Sequence, residues 1–310
     1  MATRLWSFEI DQVMPAQIID GKAIAAVLRH QVAANVDRFV ATYNTAPGLA
    51  VVLVGEDPAS SIYVKSKIRF ANRVGINSFE HRLPACATEQ ELIELILALN
   101  EDPAVDGILV QLPLPRHIDR WRVLESIDVR KDVDGFHPYN AGRVSVGRPM
   151  LAPCTPLGVI HLIRTVLNDL DGLDVAVVGR SNLVGKPVGV LLGDAGCTVT
   201  AAQLQTRDLP GICNRADVIV VAAGSPGLIR GHWVKPGATI IDVGINRVFP
   251  PGVPSRIVGD VDFEQARERA AYITPVPGGV GPMTVAYLLR NTMTAAESRR
   301  TARNSRVSAG

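Results

Sequence analysis

The apolar residues of this chain change period repeatedly, and that alternation limits the folds open to it. Ile24, Val27, Leu28, Val32, Val36 and Val40 recur at helical spacing. Leu49 to Val54 then forms an unbroken apolar run, as a strand does when both its faces are covered. A second helix is predicted from about Ser60 to Val74, an extended piece over Ile76 to Leu83, a helix opened by the capping box Thr88 to Glu91, and a strand from Gly107 to Leu112. Strands separated by helices need crossover connections, so the sheet is parallel and the fold class is α/β.

A polar, glycine-rich passage from Asp134-Gly135-Phe136 to Pro149 interrupts the series. Thr155-Pro156 offers an N-cap followed by a proline at the first helical position. A second alternation follows: helix Pro156 to Leu167, strand Val175 to Val178, helix Val184 to Leu192, and strands Thr198 to Ala202, Val218 to Ala222 and Thr239 to Val243. A boundary near residue 150 therefore divides the chain into two parallel-sheet α/β domains around a cleft, 16–150 and 151–281. A last helix, opened by Pro282 and spanning 282–297, returns to complete the first domain, and the Arg-rich stretch 298–310 reads as a solvated, disordered tail.

With 310 residues, 47% of them hydrophobic, there is enough apolar side chain for two cores. A net charge of +2 offers no broad basic field for nucleic acid. No segment has the apolar length of a membrane span, and residues 1–15 lack the unbroken apolar stretch of a signal peptide. Cys86, Cys154, Cys197 and Cys213 stand far apart, with no C-x-x-C pair and no clustered histidines. They read as reduced thiols of a cytoplasmic protein, without a metal site.

Chemistry concentrates in a few segments. Thr274 to Thr284, TPVPGGVGPMT, joins a strand to a helix without one charged side chain. Gly278, Gly279 and Gly281 remove Cβ atoms where a flat ring would approach, while Pro275, Pro277 and Pro282 fix φ. Tyr63 and Lys67 lie four apart on a predicted helix, so a phenol and an amine share one face as a proton-handling pair. Gln111 closes the strand of DGILVQLPLP, at the carboxyl end where open α/β sheets bind ligands. Asp134, ahead of a glycine, either makes a turn or pairs with an amino-pyrimidine edge.

Val177 to Pro187 reads as strand, glycine turn at Gly179 and helix start, a geometry that presents amide donors and a helix dipole to a phosphate. Arg180 and Ser181 follow the glycine, and the next strand ends in Ala202-Gln203-Leu204, without the acid that holds the ribose diol of NAD. An acid would repel the extra phosphate of NADP and the Arg180 guanidinium would hold it, so the balance favours NADP.

Together these segments resemble the bifunctional methylenetetrahydrofolate dehydrogenase/methenyltetrahydrofolate cyclohydrolase family, known as FolD in bacteria, over about Ile18 to Ala296. The match also takes in Ile19-Asp20-Gly21-Lys22, Lys131 to Asn140, Pro153 to Gly158, Asp242-Val243-Gly244-Ile245-Asn246 and Gly259-Asp260-Val261. The resemblance implies a folate-binding catalytic domain, a Rossmann-type NADP-binding domain, and NADP-dependent oxidation of a methylene folate followed by hydrolysis of the methenyl product. It implies Lys67 as the essential acid/base group, Tyr63 and Gln111 as its aides, and Asp134 as the holder of the pterin. Val110, Leu112, Pro277, Gly278, Gly279, Val280 and Gly281 would lie against the folate, and Gly179, Arg180, Ser181 and Ile245 against the dinucleotide. The family is typically a homodimer joined through the cofactor domain. Many members carry His-Ser where this chain has Gln203-Leu204, and Leu204 cannot hydrogen-bond a phosphate, so the NADP preference rests on Arg180 and nearby groups and is open to being shared with NAD. Another Rossmann-type dehydrogenase would account for residues 175–245 but not for Lys67, Gln111 and Asp134.

Overall fold

The computed structural model describes residues 15–249, 252 and 254–307. In chain order the elements are β1 (Gln17–Ile18), α1 (Gly21–Tyr43), β2 (Gly48–Val54), α2 (Pro58–Arg73), β3 (Asn77–Leu83), α3 (Glu89–Glu101), β4 (Gly107–Val110), α4 (Arg120–Glu125), α5 (Pro138–Ser145), α6 (Cys154–Val166) and β5 (Asp174–Val178). There follow α7 (Gly185–Asp194), β6 (Thr198–Ala202), α8 (Leu209–Arg215), β7 (Val218–Val221), β8 (Thr239–Asp242), β9 (Asn246–Val248), β10 (Arg256–Val258), α9 (Phe263–Arg267), β11 (Tyr272–Ile273) and α10 (Val280–Val307).

Two parallel sheets result, in the orders β3-β2-β4 and β1-β11-β8-β7-β5-β6, with β9 and β10 as a separate antiparallel ribbon. The seven residues of β2 are all buried because this strand is central, which is why its sequence is apolar without alternation. β3 is an edge, and its Glu80, His81 and Arg82 keep it polar. The capping box of α3 forms as expected: Glu91 N–H donates to Thr88 Oγ1 at 3.2 Å and Thr88 N–H to Glu91 Oε2 at 2.7 Å, an arrangement worth about 1 kcal/mol.

Some boundaries differ from expectation. Gln17 and Ile18 pair with Tyr272 and Ile273, so the first described strand completes the edge of the second sheet instead of belonging with 16–150. α6 begins at Cys154 with no side-chain cap, and Thr155 turns its hydroxyl to Thr284 Oγ1 at 2.9 Å. α10 starts at Val280, which puts Pro282 inside the first turn, where a missing N–H costs no intrahelical bond. The passage read as a glycine-rich connection contains α5, whose first turn is capped when Tyr139 N–H donates to His137 Nδ1 at 3.0 Å.

The stretch expected to be disordered from residue 298 instead prolongs α10 to Val307. Residues 308–310 lie outside the described part. The cause is a buried carboxylate: Asp106, fully inaccessible at the head of β4, accepts from Gly48 N at 3.0 Å and from the Arg299 guanidinium at 2.6 Å. Burial raises the Asp106 pKa, and the Gly48 amide, Arg299 and Arg300 oppose it. Removing one partner of such a pair strands the other, so Arg299→Ala is expected to lower unfolding stability by about 3 kcal/mol. Urea titration checks this, and an unchanged midpoint would make the contact incidental.

α10 packs along α1 and α6, and its buried Met283, Leu288 and Met293 share one core with Leu49 and Leu53 of β2 and Val175 and Val177 of β5. The two sheets are thus tied by one continuous apolar seam. Their strand ends, and the loops that leave them, form the walls of the site.

Candidate active site

α2 presents Tyr63, Ser66, Lys67 and Phe70 at positions i, i+3, i+4 and i+7, a single stripe on a helix of 3.6 residues per turn. Lys67 is buried to 8% exposure, and its Nζ donates to Gln111 Oε1 at 2.9 Å. Gln111 stands just past β4, and its Nε2 donates to the Leu112 carbonyl at 2.7 Å. That carbonyl accepts only, so the amide nitrogen must face it and the amide oxygen must face Lys67. Gln111 therefore fixes where the Lys67 amine sits. Tyr63 lies one turn away at 37% exposure, and burial of its ring raises its hydroxyl pKa.

Asp134 joins this pair. Burial pushes its carboxyl pKa up, Lys67 pulls it down, and Asp132 adds to the upward push. The turn that carries it is built tightly. Asp132 accepts from Phe136 N at 3.1 Å, His137 N at 2.9 Å and Asn140 Nδ2 at 2.9 Å. On the other flank, Asn291 of α10 donates to the carbonyls of Val133 at 2.8 Å and Ala152 at 2.9 Å. Beside it the Cys154 thiol, buried next to Asp134, is raised well above the usual range and is chemically quiet.

Tyr63 and Ser66 also line a cavity of about 710 Å³ together with Ile245 and residues Pro275 to Pro282. The loop from Thr274 thus lies opposite the α2 stripe. Its glycines divide the work in a way the sequence did not suggest. A Cβ on Gly21 would meet the Gly279 carbonyl oxygen at 1.8 Å, so it is Gly21 whose missing side chain lets the loop reach the start of α1, while a Cβ on Gly279 would fall 2.7 Å from Thr274 Cβ and 2.8 Å from the Pro275 oxygen. Gly281 has open space beside it, as a ligand-facing position requires, and Gly278 lies against the Lys22 side chain. Of the strand residues expected at the folate, Leu112 is partly accessible, whereas the Val110 side chain is in the core with Ile108 and Val52, leaving its backbone alone for a ligand.

In the second half, β5 has β6 on one side and β7 on the other, which makes its carboxyl end the point where strand order reverses and ligands bind. Gly179 stands there at φ +128°, and a Cβ would fall 2.2 Å from the Ala222 oxygen. Ser181 Oγ accepts from Val184 N at 3.1 Å, closing the start of α7, while Arg180 stands exposed. Ile245 and Leu204, 50% and 49% exposed, place apolar side chains beyond the ends of β8 and β6. Asp260 holds the intervening loops through Ala223 N at 2.7 Å, Gly224 N at 2.8 Å and Asn246 Nδ2 at 2.7 Å. Asp242 accepts from Gly244, Asp260 and Val261, and burial raises it to about 6. A backbone turn at the switch point, an exposed cation and flanking apolar surfaces fit a dinucleotide.

An α/β chain with a Rossmann-type half, and a lysine–amide pair beside a partly buried carboxylate in the other half, has the architecture of a dinucleotide-dependent enzyme. Sequence profiles refine this. The tetrahydrofolate dehydrogenase/cyclohydrolase catalytic domain matches residues 19–134, and the NAD(P)-binding domain of the same family matches residues 153–300. The chain is a member of the tetrahydrofolate dehydrogenase/cyclohydrolase family. It is 61% identical over 281 residues to bifunctional protein FolD 1 of Rhizorhabdus wittichii, covering 91% of this chain and 95% of that protein. Among solved structures, the Campylobacter jejuni FolD methylenetetrahydrofolate dehydrogenase/cyclohydrolase superposes with a TM-score of 0.87 at 46% identity, covering 92% of this chain and 99% of that one. The Trypanosoma brucei FolD, complexed with NADP cofactor and inhibitor, gives 0.89 at 40% identity over 92% and 99% of the two chains.

Four supporting residues went unread in the sequence: Asp132, Asn140, Asn291 and Asp260. Asp132 and Asn140 lie inside a segment that carries the family resemblance, and Asp260 inside another, but nothing local marks them as clamps. Asn291 acts 158 residues from Val133, a partnership no local pattern signals.

Proposed function

We infer that the chain is a bifunctional folate enzyme, which oxidises 5,10-methylenetetrahydrofolate to the 5,10-methenyl form with NADP and hydrolyses that product to 10-formyltetrahydrofolate. The observation that carries this reading is the Lys67–Gln111 pair, held at 2.9 Å beside Asp134 and on the same helix stripe as Tyr63. When bound, NADP would supply the hydride acceptor, and Gly179, Arg180, Ser181 and Ile245 would hold it. The rest falls to side chains of this chain. The methenyl compound is an amidinium-like cation, so the group that takes a proton from the attacking water must not repel it; an unprotonated Lys67 amine meets both needs. Gln111 Oε1 keeps that amine in place, and Tyr63, one turn away on the same helix face, supplies an aromatic wall of the cavity. Asp134 pairs with the amino-pyrimidine edge of the pterin.

In this reading residues 16–150, completed by 282–297, hold the folate and residues 151–281 the dinucleotide, with Gly179, Arg180, Ser181 and Ile245 against it. The enzyme is a homodimer joined through the cofactor half and works in the cytoplasm; among the described residues no helix is long and apolar enough to cross a membrane. The test is a spectrophotometric assay of methylenetetrahydrofolate with NADP and with NAD, following reduced nicotinamide and the methenyl product separately. No reduction with either cofactor overturns the reading.

Asp134→Asn is expected to raise the KM for folate about tenfold and to leave that for NADP near its starting value, because a charged acceptor holds the aminopterin edge more strongly than a neutral one. Equal rises in both constants would return Asp134 to a turn-forming role.

A further inference from the structure

A second cavity, of about 630 Å³, opens between α6 and α10 and shares no lining residue with the one beside Tyr63. Two helix stripes make its sides: Leu157, His161 and Arg164 at i, i+4 and i+7 of α6, and Tyr287, Arg290 and Thr294 at i, i+3 and i+7 of α10. Pro149, Met150 and Ile160 extend its apolar part. Tyr287 is 6% exposed, and its hydroxyl lies 2.9 Å from His161 Nδ1 and 3.5 Å from Arg290 Nη1. A guanidinium only donates, so the Tyr287 oxygen accepts from Arg290 and gives its own proton to His161 Nδ1. Burial, then Arg290, push the His161 pKa down, which leaves the ring neutral at pH 7 with its own proton on Nε2. Among the described residues none takes up that donor. Burial raises the Tyr287 hydroxyl pKa, and Arg290 and Arg164 oppose it, so both guanidinium groups act on the same small volume. Among the described residues no acid lines the cavity, and none lies within ion-pair distance of Arg164 or Arg290. Two cations held close without an acid repel each other, and an entering anion relieves that repulsion.

We propose that this groove is an effector site for a small organic oxyanion, a carboxylate or phosphate carried on an apolar body, and that its occupant tightens folate binding. The charged head would lie between Arg164 and Arg290, whose planar forks match such groups, with His161 Nε2 as a further donor. The body would rest on Pro149, Met150, Leu157 and Ile160. An inorganic anion fills too little of the 630 Å³ to use those contacts. The route to the folate end is one side chain long. Ala152 and Asn291 also line the groove, and Asn291 Nδ2 donates to the carbonyls of Val133 at 2.8 Å and Ala152 at 2.9 Å, immediately before Asp134. An occupant seated between α6 and α10 restricts that strut and favours the state in which Asp134 is held for the pterin. This coupling rests on the folate reading above.

The test titrates the full chain, saturated with NADP, with phenyl phosphate, benzoate and inorganic phosphate by ligand-observed NMR. At least one of the two aromatic anions is expected to bind with a Kd of about 1 mM, as suits so small a probe, and inorganic phosphate about tenfold more weakly. The double variant Arg164→Gln, Arg290→Gln should weaken the aromatic anion about tenfold or more, and Arg164→Lys with Arg290→Lys should recover part of it. Both arginines are exposed, so glutamine there should leave the urea midpoint unchanged. In steady-state assays, the bound probe at about ten times its Kd should lower the KM for folate about fivefold, leave that for NADP unchanged, and do neither in the double variant. No binding, or binding that survives the double glutamine change, overturns the site. So does binding lost in Arg180→Ala, since the probe would then occupy the dinucleotide site. Inorganic phosphate binding as tightly as either aromatic anion overturns the apolar half of the site, and binding with an unchanged folate KM overturns its role as an effector site. Absence of any folate activity is a different failure, which overturns the folate reading and leaves the NMR result standing.

Discussion

Lys67→Met is expected to reduce methenyl hydrolysis by about 100-fold or more while folate affinity stays within about tenfold, because it removes the proton carrier and keeps the aliphatic stem that fills the wall of α2. The geometry sharpens this expectation. Lys67 is 8% exposed and engages Gln111 through its amine, so methionine of similar length occupies the same channel and leaves Gln111 Oε1 without its donor. Gln111 is only partly buried, so losing this donor is expected to cost about 1 kcal/mol of stability alongside the catalytic effect. Lys67→Arg separates the two effects, since it keeps a donor to Gln111 but cannot give up its proton at neutral pH. Hydrolysis restored by arginine would mean that Lys67 acts by charge and position and not as a base. Undiminished hydrolysis in the methionine variant would remove Lys67 from the mechanism altogether.

The four-residue spacing of Tyr63 and Lys67 puts them on one helix face, but many surface helices carry such a pair, and the role assigned to Lys67 comes from the family resemblance. The local signals that sufficed alone are the capping box at Thr88 and β2, whose seven residues are all buried. Where the sequence misled, a distant partner decided. β1 joins β11 across more than 250 residues of chain, and nothing in Gln17-Ile18 announces which sheet edge it will cover. Arg299 looked like part of a polar tail because its partner, Asp106, sits 193 residues away at the start of a buried strand. Composition reports what a segment is made of. It does not report which buried charge the segment is needed to balance.

Cofactor choice is where these two kinds of information meet, and it yields the second large effect. Arg180→Ala is expected to raise the KM for NADP by about 10- to 150-fold and to leave that for NAD nearly unchanged, since only NADP carries the phosphate a guanidinium would grip, a contact worth roughly 1.5–3 kcal/mol. Arg180 follows Gly179 at the end of β5, exposed, while its neighbour Ser181 is committed to the start of α7 through Val184 N–H. The turn after β6 offers little else. Thr206 Oγ1 accepts from Gln203 N at 2.8 Å, and Leu204 is 49% exposed without a polar atom in its side chain. With no acid at 203 or 204 to repel the phosphate and no hydroxyl at 204 to bind it, discrimination rests on Arg180 and nearby groups, and removal of Arg180 should bring the two cofactors closer to parity. The effect should weaken with added salt, because an exposed guanidinium is screened over about 10 Å at 0.1 M ionic strength. Equal losses with NADP and NAD would instead assign Arg180 to the pyrophosphate or to the turn itself, and would move the source of selectivity to a residue on the opposite wall of the cleft.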